Sequence, residues 1–181
     1  MTDKRTLRIA ALAARSRYVA TLSPPERAAL ERALADRLRP HLAGIVASYA
    51  AFGDEIDPNA ARSAGPVLWP RVVAAGLPLD FHACAAEALV PGKGQLREPL
   101  PSMPQQDPDT VLVPLLTVDR DGYRLGYGGG YYDRTLAALR QRRAVFAIGC
   151  AWDMQLVERV MREPWDERLD AIATPTRWLR P

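Results

Sequence analysis

The chain has 181 residues, of which 48% are hydrophobic and 25% charged, and its formal net charge is +3. This composition is typical of a folded domain and excludes a disordered chain. The length predicts one domain over residues 1–181 that folds without disulfides. No apolar run approaches the ~18 residues of a membrane span, and arginines interrupt the N-terminal segment where a signal peptide is apolar, so we expect a cytoplasmic protein with no membrane partner.

The basic residues argue against nucleic-acid binding. Arginine supplies all but two of the 24, the exceptions being Lys4 and Lys93. Acidic residues are interleaved with these arginines, whereas a nucleic-acid surface clusters its cations. We therefore attribute the arginine excess to coding bias and expect no nucleic-acid partner. Cys84 and Cys150 lie outside any CxxC or Cys/His ligand spacing, so the sequence predicts no zinc site.

Two helices are predicted before any strand. Over residues 2–21 apolar side chains recur at helical spacing, which indicates an amphipathic helix. Ser23, Pro24 and Glu26 then match a capping box with proline in the first turn. This pattern predicts a second helix that ends near Leu38.

Strands and one further helix are predicted in the rest of the chain. Runs of strand length occur at residues 44–50, 66–71, 79–83, 110–116, 144–150 and 170–174. A helical pattern at 131–141 lies between two of them, which is the order of a right-handed crossover between parallel strands. We also expect a short helix that starts at Asp57 and Pro58, and a long loop over 85–108 that has room for a small strand. The sequence therefore predicts an α/β fold with a mainly parallel sheet covered by helices.

A glycine-rich loop precedes the helix at 131–141. Four glycines fall within residues 126–130, which lets backbone N–H groups and the helix N-terminus approach an anion. The spacing predicts phosphate binding, with a flexible glycine turn as the alternative. Neither the P-loop pattern nor the GxGxxG fingerprint is complete, which argues against a P-loop NTPase and a dinucleotide dehydrogenase. Asp133, early in the helix, suits either Mg²⁺ at phosphate oxygens or a partner for the helix dipole.

Residues 124–134, which read RLGYGGGYYDR, resemble the signature of the 5-formyltetrahydrofolate cyclo-ligase family, also called methenyltetrahydrofolate synthetases. The resemblance extends in order over essentially the whole chain. It includes residues 4–8, Leu22 with Ser23, Asp54 with Glu55, Glu98 with Pro99, Asp119, Gly122, Gln155, and the spacing from Asp166 to Asp170.

The resemblance implies a three-layer α/β fold and a ligase that converts 5-formyltetrahydrofolate to 5,10-methenyltetrahydrofolate. ATP would be the co-substrate, released as ADP and phosphate, and Mg²⁺ the cofactor. In the mechanism that it implies, the formyl oxygen attacks the γ-phosphate, and N10 of the folate then closes the ring and expels phosphate. ATP and 5-formyltetrahydrofolate are thus the expected partners, while no oligomeric state is predicted.

Site residues follow from the same resemblance, position by position. Those implied for ATP are Lys4, Arg5, Thr6, Leu7, Arg8, Arg124, Leu125, Gly126, Tyr127, Gly128, Gly129, Gly130, Tyr131 and Tyr132. Those implied for the folate are Glu55, Tyr127, Gly128, Gly129, Gly130 and Tyr131. Asp133 and Asp166 match the magnesium positions. For Lys4 and Arg8, which lie four residues apart on one helix face, a solvated surface is the alternative interpretation.

The sequence departs from the family pattern in three places. Tyr127 and Gly129 stand where some branches have a basic residue, so cations outside the loop must neutralise more of the phosphate charge. Residues 94–97 replace a usual Gly-Ile pair, and the region after Phe81 lacks a tryptophan often seen there. A non-catalytic relative that binds nucleotide or folate is the main alternative. A different enzyme of the same broad fold, such as a sugar-phosphate isomerase or acyl-CoA transferase, rests on fold analogy alone.

Overall fold

A seven-stranded sheet forms the centre of the fold in a computed structural model that describes residues 3–61, 67–92 and 96–181. The helices of this described part are α1 (Lys4–Val19), α2 (Pro24–Leu38) and α3 (Tyr131–Arg140). The strands are β1 (Val46–Ala47), β2 (Leu68–Val72), β3 (Leu79–Ala83), β4 (Val90–Pro91), β5 (Arg97–Glu98), β6 (Thr110–Pro114), β7 (Thr117–Asp119), β8 (Arg124–Leu125), β9 (Phe146–Cys150), β10 (Leu156–Val157), β11 (Ala171–Ala173) and β12 (Trp178–Leu179).

The central sheet is mainly parallel, as expected. Its strands follow the order β12-β11-β9-β6-β1-β2-β3. The inner strands from β11 to β2 run parallel, and the edge strands β3 and β12 pair antiparallel with their neighbours. The predicted crossover is present, since α3 connects the β8 segment back to β9 beside β6.

Helices cover both faces of the sheet and give the three layers. Leu38 of α2 and Leu112 of β6 share one buried cluster, to which α1 also contributes. Leu136 of α3 and Val111 of β6 share the second cluster, on the opposite face. Because successive side chains of a strand point to opposite faces, β6 supplies both cores. The α/β fold predicted from the sequence is therefore confirmed.

The strand expected at 44–50 is reduced to the two residues of β1. Gly44 has a φ of +64° and packs against Asp109, so the chain turns there instead of extending. Beyond the strand, Tyr49 leaves the sheet and donates its hydroxyl to the carbonyl of Ile56, at 2.7 Å. The apolar run is longer than the strand, because the residues after β1 form part of the core and of a cavity wall.

Three further segments differ from expectation. The loop predicted at 85–108 contains the hairpin of β4 and β5, and the helix expected at Asp57 is one 3-10 turn, Asn59–Ala61. The sequence also did not predict the hairpin of β7 and β8, where buried Asp119 accepts from the backbone N–H groups of Asp121 and Tyr123. The expected start of α1 at residue 2, the start of a strand at 66, Lys93 and the divergent residues 94 and 95 lie outside the described residues.

The helices of the described ranges are too short or too polar to cross a membrane. The longest of them, α1, has 16 residues.

We expect Ser23→Ala to lower the free energy of unfolding by about 1 kcal/mol, because the predicted capping box is present and this substitution removes it. The side chain of Ser23 accepts from the N–H of Glu26, and Glu26 accepts from the N–H of Ser23 at 2.8 Å. Urea denaturation measures the change. Ser23→Asp, which keeps a cap acceptor, should stay near the parent value; an equal loss in both variants would show that the cap contributes nothing.

Candidate active site

A cavity of about 920 Å³ opens where β1, β2 and β6 end, the edge of an α/β sheet at which ligands usually bind. Tyr49 and Ala50 line it just after β1, Val72 at the end of β2 and Pro114 at the end of β6. The glycine loop forms a further wall, since every residue from 124 to 134 contributes to the lining. This cavity collects most of the site residues predicted from the sequence.

The glycine loop holds the start of α3 open toward the cavity. Gly128 and Gly130 adopt φ values of +97° and +64°, which favour glycine, and Gly130 is the N-cap of α3 without a side-chain cap. The first N–H groups of a helix have no intrahelical partner and carry the positive end of its dipole. The predicted loop-to-helix junction therefore presents donors to any anion in this cavity.

Cations of several elements lie at this loop, among them Lys4 and Arg8 of α1, Arg124 of β8 and Arg134 of α3. Arg8 donates from Nε to the carbonyl of Gly126, at 3.0 Å, and its guanidinium lies against Gly128, where a Cβ would come within 3.1 Å of Cζ. Arg124, almost fully buried, donates to Asp133 and to the carbonyl of Glu167. The positive charge missing from the loop sequence is thus supplied by neighbouring elements.

Lys4 lies in the cavity wall between two acids. Its Nζ is 2.8 Å from both Glu163 Oε2 and Asp166 Oδ2, and its side chain is only 14% exposed. Burial alone would lower the pKa of Lys4, but the hydrogen bonds to the two carboxylates outweigh it and raise the pKa. Lys4 is therefore cationic at neutral pH and already partnered by acids.

The two expected metal positions are adjacent. The N–H of Glu167, the residue that follows Asp166, donates to Asp133 Oδ1 at 3.1 Å, and both acids line the cavity. Each engages one oxygen with a cation: Asp133 Oδ1 with Arg124, and Asp166 Oδ2 with Lys4. The second carboxylate oxygens are the hard ligands that Mg²⁺ prefers.

No cluster of three or more His, Cys, Asp or Glu suited to a metal occurs in the residues that the structure describes. Mg²⁺ commonly binds through one or two carboxylates together with substrate phosphates and water. Asp133 and Asp166 therefore fit a magnesium ion that arrives with a phosphate ligand, although they do not form a preformed cage.

Glu55 and Tyr127 form the polar centre of the opposite wall. The Tyr127 hydroxyl donates to Glu55 Oε1 at 2.5 Å, and the N–H of Phe52 donates to Oε2 at 2.9 Å. Burial raises the pKa of Glu55, an effect that the hydrogen bonds from Tyr127 and Phe52 oppose. Burial and the adjacent carboxylate also raise the pKa of Tyr127, so the phenol remains a donor.

Three of the predicted ATP residues do not contribute to the cavity lining. Arg5 and Thr6 are exposed on other faces of α1 than Lys4 and Arg8, and Leu7 is half-buried without lining the cavity. The N–H of Thr6 is capped by the side chain of Asp3. Their assignment to ATP stays a prediction.

Sequence reasoning assigned no site role to several residues that shape the cavity, although the family resemblance included Glu98. Trp165 and Phe52 line it as exposed aromatic side chains, and Glu98 lines it as a buried acid. Arg15 contacts Tyr127 from behind, outside the lining. Trp165 is next to Asp166 and Phe52 is near Glu55, so their closeness in sequence to predicted site residues could have indicated them. For Arg15 the sequence offered no signal beyond its place on the first helix.

Gln155 and Asp119, which carry part of the family resemblance, have local structural roles. Gln155 is buried and donates to the carbonyls of Leu115 and Leu116. Asp119 also accepts from the N–H of Val160 at 3.1 Å. Both therefore fix the segments that lead into the site, and neither lines the cavity.

Comparisons with known proteins agree with this architecture. A 5-formyltetrahydrofolate cyclo-ligase from Escherichia coli K12 is 36% identical over 116 residues, which cover 62% of each chain. One from Mycolicibacterium smegmatis is 38% identical over 105 residues, or 56% of this chain and 53% of the relative. The aligned segments thus span about three fifths or less of these relatives' lengths.

Solved structures match over nearly the whole chain. The 5,10-methenyltetrahydrofolate synthetase from Aquifex aeolicus superimposes with a TM-score of 0.78 at 27% identity, covering 98% of this chain and 92% of that one. The synthetase from Mycoplasma pneumoniae gives 0.72 at 25% identity, covering 96% and 99%. The model of the 5-formyltetrahydrofolate cyclo-ligase family matches residues 1–175. The chain belongs to the 5-formyltetrahydrofolate cyclo-ligase family.

Proposed function

We propose that this protein is an ATP- and Mg²⁺-dependent ligase that converts 5-formyltetrahydrofolate to 5,10-methenyltetrahydrofolate, releasing ADP and phosphate. One observation carries the proposal: a single cavity brings the glycine loop, cations that include Lys4, Arg8 and Arg124, and the carboxylates of Asp133 and Asp166 together with the buried Glu55. The glycine loop, the cations and the two carboxylates suit a nucleoside triphosphate with its metal ion. Glu55 suits the N–H groups of a pterin. The free thiols of Cys84 and Cys150 in this protein are compatible with a reducing compartment such as the cytoplasm.

The reaction has two bond changes that this cavity must align. The formyl oxygen attacks the γ-phosphorus while the bond to ADP breaks, and N10 then attacks the formyl carbon, loses its proton and expels phosphate. Phosphoryl transfer depends mainly on alignment and on neutralisation of charge. The N-terminus of α3 and the guanidinium of Arg8 supply fixed positive charge for the phosphates, while Glu55 accepts from the heterocycle and sets its position.

Asp133 and Asp166 are the residues that would hold Mg²⁺. The ion would supply further neutralisation of the phosphate oxygens. The role of the protein residues here is to hold each carboxylate in the cavity wall, Asp133 through Arg124 and Asp166 through Lys4.

The decisive test is the formation of the methenyl product, which absorbs in the near ultraviolet. Purified protein with Mg²⁺, ATP and 5-formyltetrahydrofolate should generate this absorbance, and omission of ATP or addition of a chelator should stop it. If no ATP-dependent product forms, the ligase assignment is wrong. Thermal shifts with each ligand would then decide for the non-catalytic relative, since a binding protein is stabilised by ligand without turnover.

Trp165 should report nucleotide binding by its fluorescence. It is 66% exposed and lines the cavity beside Asp166, whereas Trp69 and Trp152 are buried and Trp178 stacks on His41. We expect ATP with Mg²⁺ to change the emission, and Trp165→Phe to remove most of that change. Trp178→Phe is the control and should leave it intact; a persistent response in Trp165→Phe would place the nucleotide elsewhere.

A further inference from the structure

Arg15 is a buried arginine of α1 that lies behind the cavity wall. Arg15 is 4% exposed, and its Nη1 donates to the hydroxyl of Tyr127 at 2.8 Å. The guanidinium carbon also lies 5.7 Å from the centre of the Tyr127 ring, within reach of a cation–π contact. Its Nε is buried without a hydrogen-bond partner among the described residues. A buried polar group without a partner is costly, and this cost offsets part of what the contacts of Arg15 with Tyr127 contribute to stability.

The contact with Arg15 fixes the direction of the hydrogen bonds around Tyr127. A guanidinium has only donors, so the Tyr127 oxygen must accept from it. The single proton of the hydroxyl is then directed to Glu55 Oε1, 2.5 Å away. Since Phe52 N–H occupies the other oxygen of Glu55, two donors hold the carboxylate plane. The remaining lone pairs of Glu55 are thus oriented by a chain of contacts that begins at Arg15.

This chain joins two walls of the site. Tyr127 belongs to the glycine loop, between Gly126 and Gly128, whereas Glu55 lies in the loop after β1. Tyr127 is exposed as a residue, so the hydrogen bonds of its hydroxyl to Arg15 and Glu55 contribute to its position in addition to packing. The charge of Arg15 also stabilises the ionised form of Glu55. A residue outside the cavity is therefore connected to Glu55 and to the glycine loop together.

We propose that Arg15 is a positioning residue for folate: through the Tyr127 hydroxyl it holds Glu55 in the orientation that accepts from the pterin and anchors the glycine loop to that carboxylate. The inference rests on the proposed function, because it assigns Glu55 to the folate. It adds a residue that touches no substrate and that neither the family resemblance nor the cavity lining includes.

The test is the affinity for 5-formyltetrahydrofolate, measured by titration calorimetry without ATP. We expect Arg15→Met to weaken binding by about tenfold or more, the effect of a lost hydrogen bond to a charged group. Tyr127→Phe should weaken it by a similar factor. In the Tyr127→Phe background, Arg15→Met should add less than about threefold, because the hydroxyl through which it acts is gone. Arg15→Lys keeps the charge and should be intermediate.

A matched control is available on the same helix. Arg17 is exposed, and Arg17→Met removes the same charge without contact to Tyr127, so folate affinity should stay at the parent value. Stability separates a merely structural role: Arg15→Met should keep the melting temperature of the parent while affinity falls. Equal affinity of Arg15→Met and the parent, or full additivity with Tyr127→Phe, would overturn the proposal.

The outcome is distinguishable from failure of the proposed function. If the parent protein neither binds nor converts 5-formyltetrahydrofolate, the proposed function fails and the role of Arg15 with it. If the parent binds and the variants bind equally well, only the positioning role fails. Should Arg15→Met not fold, Arg15→Lys in the parent and Tyr127→Phe backgrounds carries the same test: loss of affinity in the first background alone supports the proposal, and equal loss in both refutes it.

Discussion

Gly126→Asp should reduce kcat/KM for ATP by at least about a hundredfold while the protein remains folded. Gly126 has an ordinary backbone conformation, and nothing lies within 4 Å of the position that its Cβ would take. Gly126 lines the cavity, so the added carboxylate would lie at the glycine loop, beside the phosphates of the proposed nucleotide. A like charge at about 4 Å costs several kcal/mol where the effective dielectric constant is near 20, and ~1.4 kcal/mol corresponds to a tenfold change in rate.

The matched control is Gly126→Ala, which adds the same Cβ without the charge. Steady-state kinetics with varied ATP should place it within a fewfold of the parent. Gly129 is a poorer site for this test, because a Cβ there would lie 2.7 Å from the ring of Tyr131. Equal activity of Gly126→Asp and Gly126→Ala would show that no phosphate approaches this loop, and would contradict the nucleotide assignment.

Asp133→Asn should lower turnover at least about a hundredfold and raise the Mg²⁺ concentration for half-maximal rate. It should also lower the free energy of unfolding by about 2 kcal/mol. Arg124 is buried, and its Nη2 lies 2.7 Å from Asp133 Oδ1 in an ion pair. Breaking a fully buried pair costs about 3–5 kcal/mol. The smaller value is expected because the Asp133 side chain is 23% exposed.

Initial rates over a range of Mg²⁺, together with urea denaturation, measure both effects. Asp107→Asn is the control, since Asp107 also pairs with an arginine but lies at the surface, away from the active-site cavity. It should change neither the rate nor, by more than about 0.5 kcal/mol, the stability. A parent-like Mg²⁺ dependence in Asp133→Asn would remove Asp133 from the metal site and leave it only its role beside Arg124.

Local signals in the sequence predicted much of this architecture. The capping box at Ser23 lies where the pattern put it, and α3 begins at Tyr131, directly after the glycine loop. Buried parallel strands are continuous apolar runs, so β6 and β9 were found with errors only at their ends. Family motifs then added Glu55, whose isolated place in a loop gave no signal of its own.

Contacts between distant segments were beyond such reasoning. Tyr127 meets Arg15 and Glu55 across 112 and 72 positions, and no periodicity encodes that convergence. The short length of β1 likewise depends on Asp109 packing against Gly44, a tertiary contact. The divergent residues of the glycine loop suggested that charge must come from elsewhere, but only the folded chain places Arg8 against Gly128.

The ion pair of Lys4 with Asp166 spans 162 positions, so the acidic wall of the cavity comes from a segment that the ribosome makes long after α1. Domains generally fold as units during synthesis, and the inner strand β11 (Ala171–Ala173) of the central sheet follows Glu163 and Asp166 in the chain. The acidic wall of the cavity is therefore synthesised before the sheet that supports it is complete. A chain arrested upstream of Glu163 would contain the residues of the glycine loop but would lack both these acids and β11, so its central sheet would be incomplete.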